Sequence, residues 1–190
     1  MSTLAPSRPL SGPARLARLC HHRWALPVLS ALHTGEAGGR IAPLLRRLGV
    51  ARPSLRRTLA GLVAEGLVRS NPGYGHPLRP ELVLLGPGRK LAPGCAALLA
   101  AAGDAGAPDA VLCKWSLAAL AALAAGHARF SALEAALWPV TPRALALALR
   151  RLETAGLVAR AVYDDVPPSV LYRLTPAGRR LGQLAAALPV

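Results

Sequence analysis

The chain has 190 residues, room for two small domains, and carries 23 Lys and Arg against 9 Asp and Glu, a formal charge of +14. That balance favours a polyanionic partner through counterion release, with nucleic acid first in line. Apolar runs such as Ser116 to Ala125 fall well short of the ~20 residues of a spanning helix, and the N-terminus has no apolar signal core, so neither membrane insertion nor export is expected.

The charge is lopsided. Residues 1–100 hold 14 Lys and Arg against 3 Asp and Glu, and residues 101–190 hold 9 against 6, so the first half carries most of the electrostatic attraction. A GC-rich codon bias accounts for 21 Arg beside 2 Lys, but not for the scarcity of acids in the first half.

Residues 1–13, with Ser, Pro, Gly and two short apolar spots, read as a flexible tail. A first domain follows over 14–100. Cys20-His21-His22 places three metal-ligating residue types in a row, but neighbouring side chains diverge and no further ligand sits at metal spacing, so no metal is expected. Pro27 and Pro43 fall near helix starts, where a missing amide costs little. A third helix starts at Pro53 and turns Leu55, Leu59 and Leu62 inward, leaving Arg52, Arg56 and Arg57 outside with Thr58 toward one edge. Asn71-Pro72-Gly73-Tyr74-Gly75-His76-Pro77 reads as a hairpin tip.

Residues 101–110 gather Gly, Asp and Pro, lose amphipathic pattern and read as a linker to a second domain over 111–190. There, helices are predicted over Trp115–Ala124 and Phe130–Leu137. A third begins at Pro142 with Thr141 as its cap and ends at Gly156. Leu157–Tyr163 and Val170–Leu174 alternate as two strands around a tip at Asp164 to Pro168. Thr175-Pro176-Ala177-Gly178 then caps a last helix rich in Leu and Ala.

The two domains repeat one pattern. Arg23-Trp24 overlays Lys114-Trp115, Arg40-Ile41 overlays Arg129-Phe130, Glu65-Gly66-Leu67-Val68 overlays Ala155-Gly156-Leu157-Val158, and Gly88-Arg89-Lys90-Leu91 overlays Gly178-Arg179-Arg180-Leu181. Small indels confined to loops are what a duplicated domain tolerates. Each copy reads helix, short helix, helix, hairpin, helix: a mainly α chain with small β-hairpins (α+β), built as tandem winged helix-turn-helix domains.

Lys114-Trp115-Ser116-Leu117, Arg129-Phe130-Ser131-Ala132-Leu133, Thr141-Pro142-Arg143-Ala144-Leu145, Tyr163-Asp164-Asp165-Val166-Pro167-Pro168 and Tyr172-Arg173-Leu174-Thr175-Pro176-Ala177-Gly178 closely resemble the HxlR family of bacterial transcription regulators. The resemblance covers nearly all of the second copy; the first copy is a diverged version. It implies a third helix in the DNA major groove, a wing on the backbone or minor groove, and terminal helices that pair two modules, so that a covalent tandem resembles a pseudo-dimer. It also raises redox sensing by Cys20 or Cys113, against which a reduced, partly buried thiol is weighed. The second copy departs from the family in Ala146, Leu147 and Ala148, which can touch a thymine methyl but cannot hydrogen-bond a base.

The expected DNA contacts in the first copy are Arg40, Arg52, Ser54, Arg56, Arg57, Thr58, Tyr74, His76 and Arg79. In the second they are Arg129, Thr141, Arg143, Arg150, Arg151 and Tyr163. With three Trp, three Tyr and one Phe, a single-strand-binding surface of interleaved aromatics is disfavoured, and Trp24 and Trp115 read as core anchors. No catalytic constellation, phosphate-binding Gly loop or cofactor motif occurs. The function expected is sequence-specific binding of double-stranded DNA by a cytoplasmic, nucleoid-associated transcriptional regulator. The alternative is a winged-helix scaffold in a larger nucleoprotein complex. A homodimer or a protein partner would use the terminal helices or the apolar third helix of the second copy.

Overall fold

Two Thr-Pro pairs set the frame of the C-terminal half. The Thr141 hydroxyl accepts from the amide of Ala144 at 3.3 Å, and the Thr175 hydroxyl accepts from the amide of Gly178 at 3.1 Å, each satisfying a first-turn donor. Proline follows as the first helical residue, where it leaves no amide free. At the other end, Gly156 takes φ +68° and the amide of Leu157 reaches back to the carbonyl of Leu152, closing the helix and launching a strand. The N-terminal half ends its third helix in the same way, with Gly66 at φ +65° and Leu67 bonded to Leu62.

The computed structural model describes residues 12–36, 38–71, 81–163 and 169–190. The N-terminal half contains α1 (Gly12–Leu19), α2 (Ala25–Thr34), α3 (Ile41–Leu48), α4 (Arg52–Ala64), β1 (Val68–Asn71), β2 (Glu81–Leu84) and α5 (Gly86–Asp104). The C-terminal half contains α6 (Pro108–Val111), α7 (Ser116–Ala124), α8 (Phe130–Ala136), α9 (Pro142–Thr154), β3 (Val158–Tyr163), β4 (Ser169–Leu174) and α10 (Pro176–Ala186). Both hairpins are antiparallel and share one register, Val68 opposite Leu84 and Val158 opposite Leu174. Each is widened by a bridge from the residue before the second helix of its motif: Arg40 opposite Glu81, and Arg129 opposite Leu171.

The second-copy elements fall within a residue or two of the sequence reading; α1 and α6 are additions to it. The stretch 101–110, read as a linker, holds the last turn of α5, a turn with Gly106 at φ +65° and the start of α6. Ala101 and Ala102 are buried there. The second expected wing tip, and the first apart from Asn71, which ends β1, lie outside the described residues; of the expected tail, Gly12 and Pro13 open α1 and the rest lies outside them.

A single hydrophobic cluster runs through both halves and includes Leu16, Leu26, Leu29, Leu98, Leu117, Leu120 and Leu181. Within each half the last helix packs on the first helix of its motif, α5 on α2 and α10 on α7. Between halves, α1 packs on α7 and α5 on α10. Leu188 occupies space that Gly94 leaves open: a β-carbon at position 94 would lie 2.4 Å from its Cδ2. Arg23 pairs with Asp109, and Arg180 with Asp104 at 3.3 Å, across the same seam. These exposed pairs contribute at most about 1 kcal/mol each, so burial holds the halves together.

The wing of each copy docks through a glycine. A β-carbon at Gly88 would lie 2.1 Å from the Leu67 carbonyl oxygen, and one at Gly178 would lie 1.8 Å from that of Leu157. In the second copy Thr175 reinforces the junction by donating to the Gly156 carbonyl at 2.8 Å. Replacing Gly88 or Gly178 with Ala is expected to cost about 3 kcal/mol, because backbone must part from backbone. Gly103→Ala in α5, where nothing lies within 4 Å of the added carbon, should be neutral or gain about 1 kcal/mol. Urea unfolding of the three variants checks this contrast.

Candidate nucleic-acid interface

Helices α4 and α9 are superimposable in sequence at an offset of 90 residues, and they bury the same positions. Leu55, Leu59 and Leu62 point inward in one; Leu145, Leu149 and Leu152 do so in the other. The outward positions differ in chemistry. Where α4 exposes Arg56 and Arg57, α9 exposes Ala146 and Leu147, the latter 48 % accessible. One fold therefore offers a row of guanidinium groups in the first copy and an apolar strip in the second.

Arg52, Arg56 and Arg57 are exposed, Ser54 is half-buried, and none of the three arginines makes a salt bridge among the described residues. Thr58 is a correction: it is 2 % exposed and its hydroxyl donates to the Ser54 carbonyl at 3.0 Å. Sitting three residues after Leu55 and four before Leu62, it falls on the buried stripe and satisfies its hydroxyl within the helix. Arg40 opens α3 but lies 3.6 Å from Glu81, so part of its charge is already opposed. Tyr74, His76 and Arg79 lie outside the described residues.

In the second copy Arg129, Arg143 and Arg150 are exposed, and Thr141 has its hydroxyl committed to the cap. Arg151 is exposed and donates to the Cys113 sulfur at 3.2 Å. The Tyr163 hydroxyl accepts from Arg173 at 2.5 Å, with the guanidinium 5.7 Å from its ring. Trp24 and Trp115 are half-buried against the core, with Arg23 and Lys114 over their rings at 5.9 and 5.3 Å.

Cys20 and Cys95 are buried and free, and burial pushes both thiols up to about 12, so Cys20 is not a reactive thiolate. Cys113 is half-buried, with its thiol 3.8 Å from the Asp109 carbonyl. No group of three metal-ligating side chains occurs among the described residues. His21 and His22 line a cleft with Ser54 and Arg57.

A third helix held by a tight turn, followed by a hairpin docked through glycine onto a closing helix, occurs twice in one chain. The protein is a tandem winged helix-turn-helix protein. Residues 111–189 match the family model described as HxlR-like helix-turn-helix, and residues 25–72 match that of the IclR helix-turn-helix domain. The C-terminal half is thus similar to HxlR-like helix-turn-helix domains, and the N-terminal half is matched by a helix-turn-helix family of another name.

The chain is 40% identical over 78 residues to YtfH of Escherichia coli, covering 41% of this chain and 62% of that protein. It is 43% identical over 68 residues to YdeP of Bacillus subtilis, covering 36% of this chain and 53% of that protein. A protein of Methanothermobacter thermautotrophicus is 40% identical over 75 residues, 40% of this chain and 57% of its own length. All three are named uncharacterized HTH-type transcriptional regulators. The chain thus spans somewhat more than half the length of these relatives. No solved structure matches it.

Proposed function

We propose that the chain is a transcriptional regulator that binds double-stranded DNA sequence-specifically, with its two modules arranged as a pseudo-dimer in one polypeptide. The observation that carries this reading is the outward guanidinium row of α4, displayed by a helix whose neighbours match helix-turn-helix models. Arginine is suited both to phosphates and, in bidentate geometry, to guanine edges. The names of the relatives support the same reading. Such a regulator would work in the cytoplasm on the nucleoid. Among the described residues no helix is long and apolar enough to cross a membrane.

In this reading α4 supplies most of the affinity, while α9 contributes Arg143 and Arg150 to phosphates and Leu147 to an apolar contact in the groove. The packing of α5 on α10 and of α1 on α7 supports an internal pairing, in which one chain engages neighbouring major grooves about one helical turn apart. Fluorescence anisotropy with a random duplex tests the reading: binding should weaken steeply with salt. Failure to bind at low salt would overturn it in favour of a protein scaffold. Light scattering with footprinting tests the arrangement, and a monomer protecting no more than one turn would show that the modules do not engage DNA together.

A further inference from the structure

The turn between α1 and α2 and one edge of α4 enclose a cleft of about 420 Å³ whose lining includes His21, His22, Arg23, Ser54 and Arg57. Among the described residues no carboxylate lines it. The acids nearby are already engaged, Glu65 by Arg18 at 2.7 Å and Asp109 by Arg23. Cys20, next in the chain, stays a neutral buried thiol. The rings of His21 and His22 meet edge to face with centroids 5.1 Å apart.

His22 is seated against α4 because position 61 is glycine: a β-carbon there would lie 2.5 Å from the imidazole Cδ2 and Nε2. The second copy fills the same corner differently. Cys113 stands immediately before Lys114-Trp115 as His22 does before Arg23-Trp24, and Arg151 stands where Gly61 does. There the helix supplies a permanent cation directed at the preceding turn. In the first copy the turn supplies a titratable ring directed at the helix. In both copies a cationic or ionisable group thus occupies this corner.

We propose that this cleft binds a phosphate of the DNA backbone, with the His21 and His22 imidazoles, the Arg57 guanidinium and the Ser54 hydroxyl as donors, so that the first module grips duplex more tightly as pH falls. The inference rests on the DNA-binding reading above. In the free chain burial, then His21 and Arg57, hold the His22 imidazole below its ordinary value of 6.5. A phosphate in the cleft adds an opposite charge and raises that value, so binding takes up a proton. The gain in affinity is complete below the free value and is lost as pH rises through the bound one. The lowered free value works against folding as pH falls below 6.5, so each binding titration is paired with a thermal melt.

The experiment is anisotropy of the full chain with one duplex from pH 5.5 to 8.5 at constant ionic strength. Wild type should bind about ten-fold more tightly at the acid end for each unit by which the bound value exceeds the free one. His22→Gln should sharply reduce that gain. His127→Gln, in the other module, should keep it. In the wild-type chain, NMR should show the His22 midpoint moving up on addition of duplex, which keeps the test open if His22→Gln misfolds. Intact binding with an unchanged pH profile in His22→Gln, or an unmoved midpoint, overturns the cleft and leaves the DNA reading standing. No wild-type binding at any pH at low salt overturns both.

Discussion

Replacing Arg56 and Arg57 together with Ala should weaken duplex binding by about 100-fold near 0.1 M salt, at one to two kcal/mol for each arginine contact. It should also lower the slope of log affinity against log salt by about 2, since each lost phosphate contact removes roughly one released counterion. Both side chains are exposed and neither has a carboxylate partner among the described residues, so the loss is a loss of DNA contact and not of fold. Arg150→Ala with Arg151→Ala should cost less than about ten-fold, because Arg151 is directed at Cys113 and the strip beside Arg150 is apolar. Anisotropy titrations at several salt concentrations measure both quantities. Equal losses from the two pairs would show that the modules share the load.

The second large effect concerns the seam between the halves. Leu16 on α1 is 1 % exposed and Leu120 on α7 is fully buried, in one cluster that spans both copies. Truncating either to Ala should destabilise the whole chain by about 2–5 kcal/mol, through lost transfer energy and the cavity left behind. Because α1 belongs to the N-terminal half and packs on the C-terminal one, Leu16→Ala should lower the midpoint of a single cooperative transition. Two separated transitions in calorimetry, with only one moved by Leu16→Ala, would mean that the halves fold independently.

Particular residues show where the sequence sufficed. Thr141-Pro142, Gly156 and Thr175-Pro176 act through backbone groups three to five residues away, so the helix ends of the second copy and its strands could be placed from the chain alone. The burial of Leu55, Leu59 and Leu62 follows from helical spacing, as does that of Thr58, whose place on the same stripe was open to be read. The first copy was harder to read because its punctuation is worn. Its α4 is capped by Ala51 without a side-chain hydrogen bond.

Other features have no local signature. Helix α1 has a short apolar face whose partner, α7, lies about a hundred residues further on. Whether the residues around Gly12 and Pro13 join a helix therefore turns on a surface the segment itself does not contain. The same holds for Ala101 and Ala102, which look like linker residues until the helix beneath them is covered. His22 reads as a metal ligand or nothing until Gly61, on another helix, is found to leave room for its ring. Composition, the order of repeats and the capping chemistry are short-range properties, and the sequence by itself determined the two modules and their cationic first half. Tertiary packing decided that α1 closes the far module, that Arg151 faces a thiol, and that His21 and His22 meet Arg57. Those outcomes depend on which surfaces remain uncovered once distant helices have buried their apolar faces.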